Sequence, residues 1–133
     1  MRKLLYFVVL SLFLVTACGE RNGSEPISTL APVPEEYAGK RNPFGSEAAA
    51  MGAEIFRTNC ETCHGPQGHG DGPAGDSLDP KPRDLAELHK IIGDDYLFWR
   101  ISEGKEGTSM VAWKGILTEE QIWQVVSFIR TLQ

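Results

Sequence analysis

The sequence predicts an all-α domain, and three observations carry that prediction. Apolar residues recur at helical spacing, first at Ala48, Met51, Gly52, Ile55 and Phe56, then at Ile122, Val125, Val126, Ile129 and Leu132. The second stripe follows a capping box made by Thr118 and Gln121. No run shows the apolar–polar alternation of a half-buried strand. At 133 residues the chain allows one small domain plus appendages.

The first segment stands outside that domain. Arg2 and Lys3 precede an apolar run from Leu4 to Val15, shorter than the roughly 20 residues a transmembrane helix needs. This is the layout of an export signal. Its end, Val15-Thr16-Ala17-Cys18, resembles the lipobox of bacterial lipoproteins. The resemblance implies a signal over 1–17 and a lipid on the sulfur of Cys18. Two or more acyl chains hold a protein stably at a bilayer, at about 0.8 kcal/mol per buried CH₂. The expected location is therefore a bacterial membrane surface, with the domain in the periplasm or otherwise outside the cytoplasmic membrane.

Residues 18–45 are rich in Gly, Ser, Pro and Glu and have no apolar period, so they read as a flexible linker behind the anchor. A free chain of that length spans roughly 25–30 Å. Asn42-Pro43-Phe44 leaves a second reading open, in which Phe44 docks on the domain as a peg. The domain itself is expected over 46–133. Ser46 is a candidate N-cap, Glu47 adds negative charge to the first turn, and the helix runs to Asn59. Gly52 costs about 1 kcal/mol in such a helix, so it implies a close packing contact. Two shorter helices are expected over 84–92 and 94–102, separated by Gly93 as a C-cap. The segment 65–82, dense in Gly, Pro and Asp, reads as an irregular loop. Trp123 and Phe128 widen the apolar stripe of the final helix.

Chemistry enters at Cys60-Glu61-Thr62-Cys63-His64. Two thiols three residues apart, followed directly by an imidazole, fit covalent attachment of a c-type haem. Each thiol adds to a vinyl group, and His64 reaches the iron as the proximal ligand. Three rivals compete for the same residues. Zinc would recruit His64, His69 or His89, but no second Cys pair or closely spaced His pair follows. A thioredoxin-like pair needs a preceding strand, and the preceding segment reads as helix. A structural disulfide leaves His64 without a role. Haem explains all three side chains. A helical domain of under about 90 residues also has a small core of its own, which a large apolar cofactor would complete.

The order of helix, Cys-x-x-Cys-His, Gly-rich loop, short helices and capped final helix resembles class I cytochrome c over 46–133. The resemblance implies a small helical domain wrapped around one covalently bound haem c, its iron ligated by His64 and by Met110 in Gly107-Thr108-Ser109-Met110-Val111. It implies that Gly52 and Phe56 pack against Val125 and Phe128. It also implies a proline carbonyl accepting the free N–H of His64: Pro82 is the choice, and Pro80 stays open beside it. Val111 departs from the family pattern, which has Pro after the Met and hence a stiffer loop. His69 and His89 are weaker candidates for the distal ligand.

With Cys18 lipidated and Cys60 and Cys63 on haem, none of the three cysteines is left over. The formal charge of −5 becomes −7 once Arg2 and Lys3 are removed. That balance excludes nucleic acid as an electrostatic partner and favours a basic protein surface. The expected function is single-electron transfer, not enzymatic turnover, between redox protein partners such as a quinol-oxidising complex and a terminal oxidase or reductase. No small-molecule substrate is expected, and the membrane enters through the lipid anchor. The alternative is a haem protein whose open or labile distal site binds a small gas or peroxide. A fixed subunit of a larger complex fits the sequence equally.

Overall fold

The structure, a computed structural model, describes residues 30–133; the expected signal over 1–17 and Cys18 lie outside the described residues. A 3-10 turn, Ser46–Ala48, leads into five helices: α1 (Ala49–Asn59), α2 (Glu61–His64), α3 (Leu85–Leu88), α4 (Asp94–Glu103) and α5 (Glu119–Ile129). A second 3-10 turn, Gly75–Ser77, lies in the Gly-rich loop. There is no strand among the described residues, only an isolated bridge between Lys114 and Leu117. The all-α expectation holds.

Local signals account for most element ends. Thr118 and Gln121 form the expected capping box: the Thr118 hydroxyl accepts from the Gln121 N–H at 3.2 Å, and Gln121 Oε1 accepts from the Thr118 N–H at 2.9 Å. Three expectations need correction. Ser46 makes no side-chain cap; the Glu47 carboxylate instead accepts from the Gly45 N–H at 2.9 Å. The helix expected over 84–92 is a single turn, with Asp84 capping the Glu87 N–H at 3.1 Å. Gly93 does not end a helix but starts one, standing before α4 in extended backbone. The C-terminal glycine of α4 is Gly104, in the left-handed region at φ +70°.

α1 crosses α5 at Gly52. A Cβ there would lie 1.9 Å from the carbonyl oxygen of Gln124 and 3.0 Å from Cβ of Phe128. Only a glycine allows this approach, and it brings the Phe56 and Phe128 rings to 5.0 Å. Phe56, Ile122, Val125 and Val126 are almost wholly buried. On the far side of α5, Phe98 and Trp123 stack at 4.1 Å. Arg130 ties the end of α5 to the start of α4: its guanidinium donates to Asp94 Oδ1 at 2.7 and 2.9 Å, to Ile92 O at 3.0 Å and to His89 O.

The linker expected over 18–45 is not free in its described part. Tyr37 is 5% exposed, packs against Phe98 at 6.1 Å and donates its hydroxyl to Glu103. Asn42 Nδ2 donates to Trp123 O at 3.0 Å and to Ser127 Oγ at 2.9 Å, while its own oxygen accepts from Phe44 N–H at 3.0 Å. Leu30, Val33 and Phe44 lie against the core. Burial of these apolar side chains, at roughly 25 cal/mol per Å², offsets the entropy of ordering the strap. The docked reading of Phe44 therefore describes this stretch, and the packed unit begins before 46.

Candidate functional site

α1, α4 and α5 leave a cavity of about 500 Å³ between their apolar faces and the two long loops. Its floor is Phe56, Leu97, Val125 and Ile129. Three of these come from the apolar stripes of α1 and α5 that the sequence displays, Phe56, Val125 and Ile129, and Leu97 comes from α4. The size is that of a small-molecule or cofactor site.

Cys60, Cys63 and His64 stand in one wall, carried by α2 and the residue before it. The Gly-rich loop returns over this turn and is held to its backbone: the Gly70 N–H donates to His64 O at 2.8 Å and the Ala74 N–H to Thr62 O at 2.9 Å. Met110 enters the same cavity from the loop between α4 and α5. Four of the five expected site residues at 60–110 thus meet in one place, and the fifth, Pro82, lines it too, with Pro80 beside it. Pro82 does not bond His64. Its carbonyl faces Gly70, where a Cβ would lie 2.3 Å away, and Nδ1 of His64 is buried with no hydrogen-bond partner.

The electrostatics fit ligation. Burial pushes the His64 imidazole below its ordinary pKa, which favours the neutral, lone-pair-bearing form that binds a metal. Nδ1 of His64 is buried with no partner, and a buried polar atom left unpaired costs about 1–3 kcal/mol. Burial, with Cys63 close by, pushes the Cys60 thiol up to about 12. A thiol so firmly protonated is unsuited to thiol–disulfide exchange, and no disulfide joins the pair. Among the described residues no group of three His, Cys, Asp or Glu could hold a metal ion, so the zinc reading lacks its donors. An apolar cavity bearing two thiols, an imidazole and a thioether fits haem.

The distal alternatives lie elsewhere. His69 pairs with Asp84 at 3.0 Å on the surface, and His89 meets Leu132 O at 3.0 Å; neither lines the cavity. The Met110 loop is braced without a proline. Met110 O accepts from Lys105 N–H at 2.9 Å, and its N–H donates to Thr108 Oγ1 at 3.2 Å. Thr108 Oγ1 in turn donates to Lys105 O at 2.7 Å, and the Trp113 N–H donates to Ile101 O at 3.1 Å. One feature of the wall follows from no local pattern in the chain, its four cations: Lys81, Arg83, Arg100 and Lys105.

Fold and cavity together define a c-type cytochrome domain, whose haem c is covalently bound. The chain belongs to the cytochrome c oxidase, cbb3-type, subunit III family, whose model matches residues 47–129. A solved chain of the reducing HAO-like protein complex of Kuenenia stuttgartiensis shares the fold, with a TM-score of 0.61 at 22% identity. The match covers 80% of this chain and 53% of that one, so it spans about half the length of the solved relative.

Proposed function

We propose that this chain is a single-haem electron carrier whose iron is held by His64 and Met110, with thioether bonds to Cys60 and Cys63. The observation that carries the reading is the meeting of these four side chains in one apolar cavity. The bound haem would supply a one-electron couple. The chain's part is to hold that couple still and dry. Phe56, Leu97, Val125 and Ile129 exclude water from the floor, and a low-dielectric surround together with a Met ligand favours a high potential. His64 is set by the turn of α2, which the Gly-rich loop clamps. Met110 is set by its hydrogen-bonded loop, so the thioether needs little rearrangement to serve as a ligand.

Lipidation at Cys18 after export would tether the domain to a membrane outside the cytoplasm. Among the described residues no helix is long and apolar enough to cross a membrane. Partners would be redox proteins, a quinol-oxidising complex on one side and a terminal oxidase or reductase on the other, without turnover of a small-molecule substrate. A labile distal site, the alternative function, has less support, because the loop around Met110 is braced on both sides. The test is a redox titration of the haem-loaded protein with carbon monoxide present. A reversible one-electron wave at a potential unmoved by carbon monoxide supports the carrier. A wave that shifts with the gas contradicts it.

A further inference from the structure

The loop that carries Met110 is tied at its neck to the end of α4. That helix ends at Glu103, and the carbonyls of its last turn have no partner inside the helix. The returning chain fills two of them: the Trp113 N–H donates to Ile101 O at 3.1 Å, and the Lys114 N–H to Ser102 O at 3.0 Å. A further tie comes from far along the chain. The strap turns at Pro34, whose carbonyl accepts from the Tyr37 and Ala38 N–H groups at 2.9 Å each. This turn presents the buried Tyr37 to Glu103, whose Oε1 accepts from the Tyr37 hydroxyl and, at 3.1 Å, from Lys114 Nζ. One carboxylate oxygen thus joins the strap, the end of α4 and the returning loop. At the other end of α4, the Gly39 N–H donates to Asp95 at 2.9 Å and the Asn42 N–H to Asp94 at 3.2 Å. The strap therefore spans the helix from first turn to last. It packs on Phe98, while Leu97, Arg100 and Ile101 of the same helix line the cavity.

We propose that Tyr37 is a positioning residue for the distal ligand: through Glu103 and Lys114 it holds the neck of the Met110 loop closed. This rests on the reading of Met110 as a ligand given above. An exposed Lys–Glu pair contributes little by itself. The hydroxyl of a buried ring changes that, because it fixes the Glu103 carboxylate beside Lys114. Hydrogen bonds from Tyr37 and then Lys114 hold the Glu103 carboxyl below its ordinary pKa, as expected of an oxygen that serves two donors. The strap thereby does the work that a proline after Met110 would do in the loop itself: it limits how readily the neck opens. Val111 stands at that position here.

The test uses the full haem-loaded chain in its ferric form, with imidazole as the incoming ligand. A bond from iron to the imidazole nitrogen forms as the bond from iron to the Met110 sulfur breaks; no electron moves. At saturating imidazole the first-order rate reads how often the loop opens. Tyr37→Phe keeps the ring on Phe98 and removes only the hydroxyl. It should raise the rate by roughly three- to ten-fold, the range for one lost hydrogen bond. Glu103→Ala should raise it at least as much, and the double variant should be no faster than Glu103→Ala alone. Asn42→Ala removes two hydrogen bonds between the strap and α5 but none at the neck, so its rate should match the parent's. An unchanged rate in Tyr37→Phe overturns the proposal. Equal acceleration in Asn42→Ala also overturns it, since the effect would then be a general loosening of the strap. A parent without the long-wavelength sulfur band sinks ligation by Met110 and this inference with it. A parent that shows the band while Tyr37→Phe opens no faster sinks this inference alone.

Discussion

Gly52 and Gln124 meet backbone to backbone: a Cβ on Gly52 would stand 1.9 Å from the Gln124 carbonyl oxygen. That contact sets the separation of α1 and α5, and with it the height of the cavity floor formed by Phe56, Val125 and Ile129. Gly52→Ala would gain helix propensity of about 1 kcal/mol but must push the helices apart. Overpacking of this kind costs about 1–3 kcal/mol, and an overlap with rigid backbone belongs at the upper end. The expected result is a net loss of stability in chemical denaturation of the haem-loaded protein. Gain of stability would mean the two helices are not held at this distance.

The Met110 loop depends on Gly104 for two separable reasons. Its φ of +70° is unfavourable for any side chain, and a Cβ would lie 2.4 Å from the Met110 carbonyl oxygen. Gly107 has a similar φ of +73° with nothing within 4 Å. Both alanine variants therefore carry a conformational cost of about 1–2 kcal/mol, but only Gly104→Ala should displace Met110. We expect Gly104→Ala to weaken the long-wavelength Met-sulfur-to-ferric-iron band and to admit carbon monoxide. Gly107→Ala should keep the parent spectrum. Equal spectra for both variants would show that the brace around Met110 is not what holds it.

The strap over 30–45 carries a pH dependence that can be signed. Hydrogen bonds from Tyr37 and then Lys114 hold the Glu103 carboxyl below its ordinary value of 4.5. A depressed carboxylate contributes stability above its ordinary pKa and loses it as pH falls through the depressed value. Burial, with the Glu103 contact next, raises Tyr37 above 10.0, so its contribution persists until pH climbs through that raised value. Glu103→Gln should therefore destabilise the protein at neutral pH, with the difference from the parent vanishing as the pH drops well below 4.5. Because the carboxylate is 40% exposed, the effect is modest. Thermal melts across this range check it; a difference that grows in acid would contradict the assignment.

How far the fold could be read from the chain depended on whether the signal was local. The capping box at Thr118 and the helical stripes of α1 and α5 are short-range patterns, and each specifies its element. Cys60, Cys63 and His64 are spaced by their own chemistry. Met110 is legible only through a family resemblance and its place in the chain, and the loop hydrogen bonds that brace it lie in backbone that sequence does not display. The strap was harder. Tyr37 sits alone in a Pro- and Glu-rich stretch without periodicity, so its burial depends on Phe98, 61 positions away. Asn42 and Phe44 were the one visible hint. The four cations of the cavity wall were hidden for a similar reason: residues 81 to 105 come together only in the fold.

Met110 is the residue on which electron transfer by this chain depends most directly. Absorption spectra of the haem-loaded chain, ferric and ferrous, with and without carbon monoxide, should be recorded for the parent and for Met110→Ala. Ligation by Met110 predicts a low-spin parent that shows the long-wavelength sulfur band and ignores carbon monoxide, and a variant that loses the band and binds the gas. A parent that is already high-spin and binds carbon monoxide, or a variant whose spectrum matches the parent's, would contradict ligation by Met110 and the electron-carrier function built upon it.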